Sequence, residues 1–380
     1  MNDYNAKEEK IQEMIKDLIR RGGISYQLIV GRFESKILNL KNPKLSYWFA
    51  LNINGADVRA HGRVIINSRD PEWNYKFAKN VKESDINTHE QIIIKNGDPC
   101  YNYMFARYIE GSNIKAHGKA IINSGDPKWN YLFARDVKGS DVKKHSKIII
   151  NSGDPELNYL FSKNVKGSDV KKHGKAIINS GNLELNYLFA KNVKGADVRA
   201  HGRVIINSGD LEWNYKFARD IIGADVRAHD RVIINIGDPE LKYIFARYVK
   251  GADVRAHGKA IINSGDLEWN YKFARDIIGA DVRAHGRVII NSGDPELNYI
   301  FVRDVKGADV RAHGQAIINS GDSEWNYLFA EGVKGTDVKA HEQFVFKYGN
   351  QIESELESLD NYLDDAIASS EKDASKSMTK

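Results

Sequence analysis

The stretch LEWNYKFARDIIGADVRAHGRVIINSGD, residues 267–294, is one of eleven variant copies that fill the chain from Pro43 to Asn350. The first copy reads PKLSYWFALNINGADVRAHGRVIINSRD (43–70), and the last reads SEWNYLFAEGVKGTDVKAHEQFVFKYGN (323–350). A unit of 28 residues is too small to bury its own apolar face, and such periods are typical of solenoids. We number the copies repeat 1 to repeat 11.

Each repeat carries the signals for two helices, here called helix A and helix B. In repeat 2, Asp70 and Pro71 supply an N-cap and a proline at the first helical position, and apolar residues follow at helical spacing to about Lys82. Asp57 caps a second helix in repeat 1, whose apolar residues recur at i, i+3, i+7 and i+8. Glycines such as Gly97 end helix B before the next Asp-Pro start.

These signals predict an all-α chain: a right-handed α-solenoid of eleven two-helix repeats with helical caps. We expect an N-terminal cap in residues 1–42, the solenoid in 43–350, a capping helix in 351–368 and a disordered tail in 369–380. The first cap is predicted from a helix with Ile11, Ile15, Leu18 and Ile19, then Gly22 and Gly23, then a helix with Phe33, Ile37 and Leu40. The second is predicted from the apolar stripe Ile352, Leu356, Leu359, Leu363 and Ile367.

Two aromatic residues recur in every helix A. The phenylalanine, from Phe49 to Phe329, predicts a buried ladder in which each side chain contributes about 1.5 to 3 kcal/mol. The tyrosine, from Tyr47 to Tyr327, is expected to pack between repeats with its hydroxyl on a neighbouring backbone group or asparagine.

All eleven histidines occupy one position of helix B. Because packed helices lie about 8 to 10 Å apart, equivalent imidazoles in adjacent repeats are too distant to share a zinc ion. We expect buried, neutral imidazoles bonded to a polar partner such as the asparagine of helix A. The histidines are His61, His89, His117, His145, His173, His201, His229, His257, His285, His313 and His341.

Helix B also carries basic residues two positions before and two positions after the histidine. Their i, i+4 spacing places both on one helix face and predicts a basic stripe that could follow phosphates, although charged faces also serve solubility. The stripe comprises Arg59, Arg63, Lys115, Lys119, Lys143, Lys147, Lys171, Lys175, Arg199, Arg203, Arg227, Arg231, Arg255, Lys259, Arg283, Arg287 and Arg311.

A second candidate surface comes from variable positions on helix A. Large aromatic residues beside a lysine are typical of protein contact surfaces, and they also suit simple covering of the next repeat. The residues are Trp73, Lys76, Trp129, Trp213, Lys216, Trp269, Lys272 and Trp325.

Composition limits the remaining classes of function. The net charge is only +5, a single cysteine (Cys100) excludes an internal disulfide framework, and no apolar run is long enough for a membrane span. The start, MNDYNAKEEK, lacks the order of a secretory signal. We therefore expect an intracellular, cytoplasmic protein. No phosphate-binding loop, nucleophile elbow or metal-ligand spacing occurs outside the repeats, so we expect neither an enzyme nor a cofactor.

The segment FARDIIGADVRAHGRVIINSGD (273–294) resembles helical-repeat proteins of the HEAT and leucine-rich-variant kind. It is still more similar to short FARDVKGADV-type repeats of large DNA viruses, phages and some bacteria. The resemblance implies an interaction scaffold without catalytic residues, and some helical-repeat relatives bind nucleic acid. From residues and resemblance together we expect a binding or scaffolding protein with a protein partner, the alternative being a nucleic-acid backbone binder, and neither a membrane nor a small-molecule substrate.

Overall fold

A computed structural model describes the backbone of residues 2–20 and 25–377 and the side chains of residues 7–20, 25–364, 366 and 367. Within these ranges the chain forms 24 helices and no strand, which confirms an all-α array of two-helix repeats. Two helices precede the repeats, α1 (Asn2–Arg20) and α2 (Tyr26–Asn39). Gly22 and Gly23, predicted to separate them, lie outside the described residues.

Helix A is ten residues long in each repeat. The A helices are α3 (Pro43–Asn52), α5 (Pro71–Asn80), α7 (Pro99–Tyr108), α9 (Pro127–Asp136), α11 (Pro155–Asn164), α13 (Leu183–Asn192), α15 (Leu211–Asp220), α17 (Pro239–Tyr248), α19 (Leu267–Asp276), α21 (Pro295–Asp304) and α23 (Ser323–Gly332).

Helix B is eleven residues long in repeats 1 to 10. The B helices are α4 (Val58–Ser68), α6 (Ile86–Asn96), α8 (Ile114–Ser124), α10 (Val142–Ser152), α12 (Val170–Ser180), α14 (Val198–Ser208), α16 (Val226–Ile236), α18 (Val254–Ser264), α20 (Val282–Ser292) and α22 (Val310–Ser320). In repeat 11, helix B is the start of the longer α24 (Val338–Ser377).

The helix ends have the predicted chemistry. The side chain of Asp70 accepts hydrogen bonds from the backbone at the start of α5, and Asp57 does the same for α4. Gly97 ends α6 in the left-handed conformation, with φ of 81°. Helix A of repeat 2 ends at Asn80 rather than Lys82, because the chain turns extended at Val81.

Residues 1–201 and 202–380 form two compact units, and the boundary falls within α14. In the first unit, α1 and α2 pack on repeat 1: Ile15, Ile29 and Ile37 share a buried cluster with Leu45 and Phe49. Between successive repeats, Phe133 of repeat 4 packs against Ile121 and Tyr103 of repeat 3. The core of this unit therefore lies between neighbouring repeats.

The second unit shows the same packing. Phe301 of repeat 10 shares a buried cluster with Ala274 and Ile289 of repeat 9. In both units the predicted phenylalanine ladder is confirmed, because every one of these rings is at most 1% exposed. Each also lies against the histidine of its own repeat, with ring centroids 5.0 Å apart for Phe77 and His89. The stack is thus a ladder of Phe–His pairs.

In at least six repeats the tyrosine hydroxyl bonds to the next repeat, with one difference from the prediction. The hydroxyl of Tyr47 accepts a hydrogen bond from the Asn80 side chain at 2.8 Å. Where the partner position holds aspartate, the direction reverses and the hydroxyl donates, as from Tyr103 to Asp136 at 2.7 Å. The sequence had predicted only an asparagine side chain or a backbone group as the hydrogen-bond partner of the tyrosine hydroxyl.

The C-terminal segment departs from the prediction. Residues 351–368 are not a separate capping helix, because α24 runs without interruption from repeat 11 to Ser377. The stripe residues Leu356 and Leu359 are 58% and 54% exposed. Residues 369–377, expected to be disordered, belong to the same helix, and 378–380 lie outside the described part of the chain. The helix continues past Gly349 and Asn350, although Gly181 and Asn182 at the equivalent positions end α12 and cap α13.

Candidate nucleic-acid interface on helix B

The basic stripe lies on the outer side of helix B. All of the predicted stripe side chains, from Arg59 to Arg311, are exposed. Among the described side chains none of them forms an ion pair, whereas the neighbouring Lys144 and Lys172 pair with the capping residues Asp141 and Asp169 at 2.8 and 2.9 Å. The stripe therefore presents cations that no carboxylate of the described structure neutralises.

Shallow grooves run between consecutive B helices of the first unit. A groove of about 650 Å³ between α8 and α10 is lined by Lys115, Lys119 and Lys144. The next groove, of about 560 Å³, is lined by Lys143 and Lys147 together with residues of α12. In these two grooves the stripe lysines share the walls with the capping residues Asp141 and Asp169.

The basic residues of helix A are placed differently. Arg107 donates to the hydroxyl of Tyr103 at 2.6 Å and also pairs with Asp136. Arg135 donates to Asp136 at 2.7 Å, and this bond lowers the pKa of the Asp136 carboxyl to about 2. Because these cations are held by partners within the chain, helix A offers less free positive charge than helix B.

The candidate protein-contact surface is largely occupied by contacts within the chain. Trp73 is half-buried, its ring centroid lies 5.6 Å from that of Tyr47 in the preceding repeat, and the Lys76 ammonium lies 4.4 Å from the indole. That ammonium also binds Glu72 at 2.6 Å. This geometry favours the covering interpretation, although the repeat that is covered is the preceding one and not the next. Equivalent contacts occur at Trp129, Trp269 and Trp325 for the tyrosine, and at Trp213 with Lys216 and Trp269 with Lys272 for the lysine.

The inner side of helix B carries the histidines, all of which are at most 2% exposed. In nine repeats Nδ1 bonds to the asparagine of helix A, as in His145 to Asn130 at 2.7 Å. The amide nitrogen of Asn130 donates to the carbonyls of Ile121 and Asp126, so its oxygen accepts and Nδ1 carries the proton. The predicted His–Asn bond is confirmed in these repeats.

Burial disfavours the charged form of these imidazoles. It lowers the pKa to about 4 at His61, His89, His145, His173, His201, His229, His285 and His313. Repeats 1 and 8 lack the asparagine and hold Ser46 and Lys242 in its place. In these repeats Nδ1 of His61 and of His257 has no hydrogen-bond partner in the described structure.

The second ring nitrogen, Nε2, faces the preceding repeat. In most repeats it meets the glycine that follows the previous histidine; a Cβ on Gly286 would lie 3.0 Å from Nε2 of His313. Several of these nitrogens, such as Nε2 of His145, have no partner among the described residues. At Gly286 the close approach of the two helices therefore disfavours a larger side chain, whereas Gly62 has room for a Cβ.

At three positions an acidic residue takes the place of that glycine and contacts both the backbone and the histidine of the next repeat. The carboxylate of Glu90 accepts from the backbone N–H of Asn113 at 2.6 Å and contacts Nε2 of His117 at 3.1 Å. The other two are Glu34 in α2, which contacts His61, and Asp230, which contacts His257. The sequence analysis missed these acids. Their signal was an acidic residue at a position of helix B that is glycine in most other repeats.

His117 differs from every other histidine in this ladder, because acceptors face both of its ring nitrogens. Nδ1 lies 2.8 Å from the amide oxygen of Asn102, and Nε2 faces the Glu90 carboxylate. Desolvation lowers the pKa of His117, and the Glu90 charge opposes that shift.

The described residues contain no group of three or more metal-ligating side chains and no helix long and apolar enough to cross a membrane. No protein-family profile, curated protein sequence or solved structure matches this chain.

Proposed function

We propose that this protein is a non-enzymatic binding scaffold that holds the phosphate backbone of a nucleic acid against the outer faces of its B helices. The supporting observation is the row of exposed cations, from Arg59 to Arg311, that form no ion pair with a described side chain. Counterion release on contact with phosphates is the main source of affinity for such surfaces.

The composition of helix B supports binding without sequence preference. In repeats 1 to 10 its only aromatic residue is the buried histidine, so it offers no ring on which an exposed base could stack. Arginine and lysine can still position a phosphate backbone without reading base edges. The chain resembles HEAT-like repeats and the FARDVKGADV-type repeats of viruses, phages and bacteria. This resemblance supports a nucleic-acid-binding scaffold, because some helical-repeat proteins bind nucleic acid.

A titration of the protein against labelled mixed-sequence RNA, single-stranded DNA and duplex DNA tests this proposal. With six to ten phosphate contacts, affinity should fall about 10³- to 10⁵-fold between about 50 mM and about 200 mM salt. Polyglutamate of equal length serves as the control polyanion. Absence of nucleic-acid binding at the lower salt concentration would rule the proposal out, and equal affinity for polyglutamate would point to an acidic protein partner.

A protein partner is the second candidate function, and one observation favours it. Ile222 and Ile278, in the A–B turns of repeats 7 and 9, are 96% and 97% exposed, where most repeats have lysine. Exposed large apolar side chains of this kind mark protein contact sites. The variant I222K/I278K restores the common residue and should abolish cross-linking to a partner in native cells, and an unchanged cross-linking pattern would contradict this candidate.

A further inference from the structure

The last repeat and the helix that continues from it leave a long apolar surface uncovered. Phe346, in the helix B part of α24, is 73% exposed, and Val338 is 52% exposed. The stripe Ile352, Leu356, Leu359 and Leu363 lies on the same face of the helix as Val338, about 100° around the axis from Phe346, with exposures of 37% to 58%. Apolar faces of this extent in a solvent-facing helix mark interaction sites.

The spacing of the stripe indicates what kind of surface fits it. Ile352, Leu356, Leu359 and Leu363 are separated by four, three and four residues, which is the alternation of a coiled-coil seam. Such a seam is buried by another helix that lies nearly parallel or antiparallel to it. Acidic residues flank the seam: Glu353, Glu355, Glu357, Asp360 and Asp364.

The charges of α24 distinguish between the two directions of pairing with an identical helix. In a parallel pair, Glu355 would face Asp360 of the other helix, because these residues occupy the g position and the following e position of the seam. Like charges there oppose association. In an antiparallel pair centred near Ile352, the acidic half would instead lie along residues 338–348, which carry Lys339 and Lys347 and one acid, Glu342.

We propose that α24 is the surface on which a second copy of this chain docks, antiparallel and centred near Ile352. Leu359 of one copy then covers the half-buried Val345 of the other, and this pair occurs twice about the twofold axis. Asp360 and Asp364 lie near Lys347 and Lys339 of the other copy. The seam, its acidic flanks and the basic residues that complement them are all on one helix, so the surface is self-complementary.

The association state of the full chain tests the pairing. Analytical ultracentrifugation should show a dimer for the native protein and a monomer for L356E/L359E, with a dissociation constant raised at least about 100-fold. The matched control S354E/N361E adds the same two charges to the polar side of the helix and should stay dimeric. A native protein that is monomeric at all concentrations, or a dimer unaffected by L356E/L359E, would overturn the proposal. Circular dichroism confirms that each variant remains folded.

Disulfide cross-linking tests the direction. In a Cys100→Ser background, Ile352→Cys should form a disulfide between the two copies, whereas Leu363→Cys should not, because only residues at the centre of an antiparallel pair meet themselves. Cross-linking of both variants would show a parallel pair and contradict the proposed register. These experiments use no nucleic acid, so their outcome is independent of the proposed binding function.

Discussion

Polar side chains on the two sides of helix B have opposite environments. On the inner side, the imidazole of His145 is buried, its Nδ1 bonded to Asn130 and its pKa lowered to about 4. On the outer side of the same helix, Lys143 and Lys147 are exposed and form no ion pair with a described residue. The repeated inner residues serve the stacking of repeats, and the repeated outer residues remain available to a ligand.

Lowering the pH should destabilise the packing on the inner side of helix B, and this is the largest expected effect. At eight of the eleven histidines burial lowers the pKa from 6.5 to about 4 in the folded chain, so the unfolded chain binds more protons between these values. The free energy of unfolding therefore falls as the pH drops from 6.5 toward 4, by about 1.4 kcal/mol per pH unit for each such histidine.

Thermal melts followed by circular dichroism check this pH dependence. The melting temperature should be flat above about pH 7, where the imidazoles are neutral in both states, and should fall steeply below about pH 6. A melting temperature that does not change between about pH 8 and about pH 5 would contradict the burial of neutral histidines.

A pair of substitutions within repeat 4, one facing the inner side of helix B and one on its outer side, sharpens the comparison. Asn130→Ala removes the partner of His145 and the donor to two buried carbonyls, and should lower the free energy of unfolding by about 2 to 4 kcal/mol. Lys147→Ala, on the outer side, should change it by less than about 0.5 kcal/mol. Urea denaturation measures both, and equal losses would show that the two sides are not distinct.

Substitution of the glycines that follow the histidines of helix B should give the smallest change in the free energy of unfolding. A Cβ at Gly62 would make ordinary contacts at 3.5 and 3.6 Å, so Gly62→Ala should stabilise the helix by up to about 1 kcal/mol. At Gly286 the Cβ would lie 3.0 Å from Nε2 of His313, so the same change should be neutral or destabilising by about 1 to 2 kcal/mol. Chemical denaturation distinguishes the two, and the opposite order would contradict the packing of the inner side.

Features that depend on neighbours within a repeat or one repeat away could be predicted from the sequence. The cap at Asp70, the buried ring of Phe77 and the bond from His89 to Asn74 follow from helical spacing and from the need to satisfy buried polar groups. The exposed stripe followed from the i, i+4 spacing of helix B.

Features that depend on packing distance or that run against a local signal could not be predicted. Whether Trp73 faces solvent or Tyr47 is decided by the angle between consecutive A helices, which the pattern does not contain. The contacts of Glu90 with Asn113 and His117 depend on how closely two B helices approach at the glycine position. The continuation of α24 past Asn350 could not be predicted, because Gly349 occupies the position at which glycines such as Gly97 end helix B in other repeats.

The most direct test compares nucleic-acid binding by two variants with equal changes in net charge. One reverses stripe residues of α10 and α12 (K143E/K147E/K171E/K175E), and the other reverses exposed lysines of the A–B turns (K82E/K138E/K166E/K194E). The stripe variant should bind at least about 100-fold more weakly, with a slope of log affinity against log salt that is shallower by about 3 to 4. The turn variant should keep the native slope. An equal loss in both variants would contradict the claim that the outer face of helix B holds the phosphate backbone.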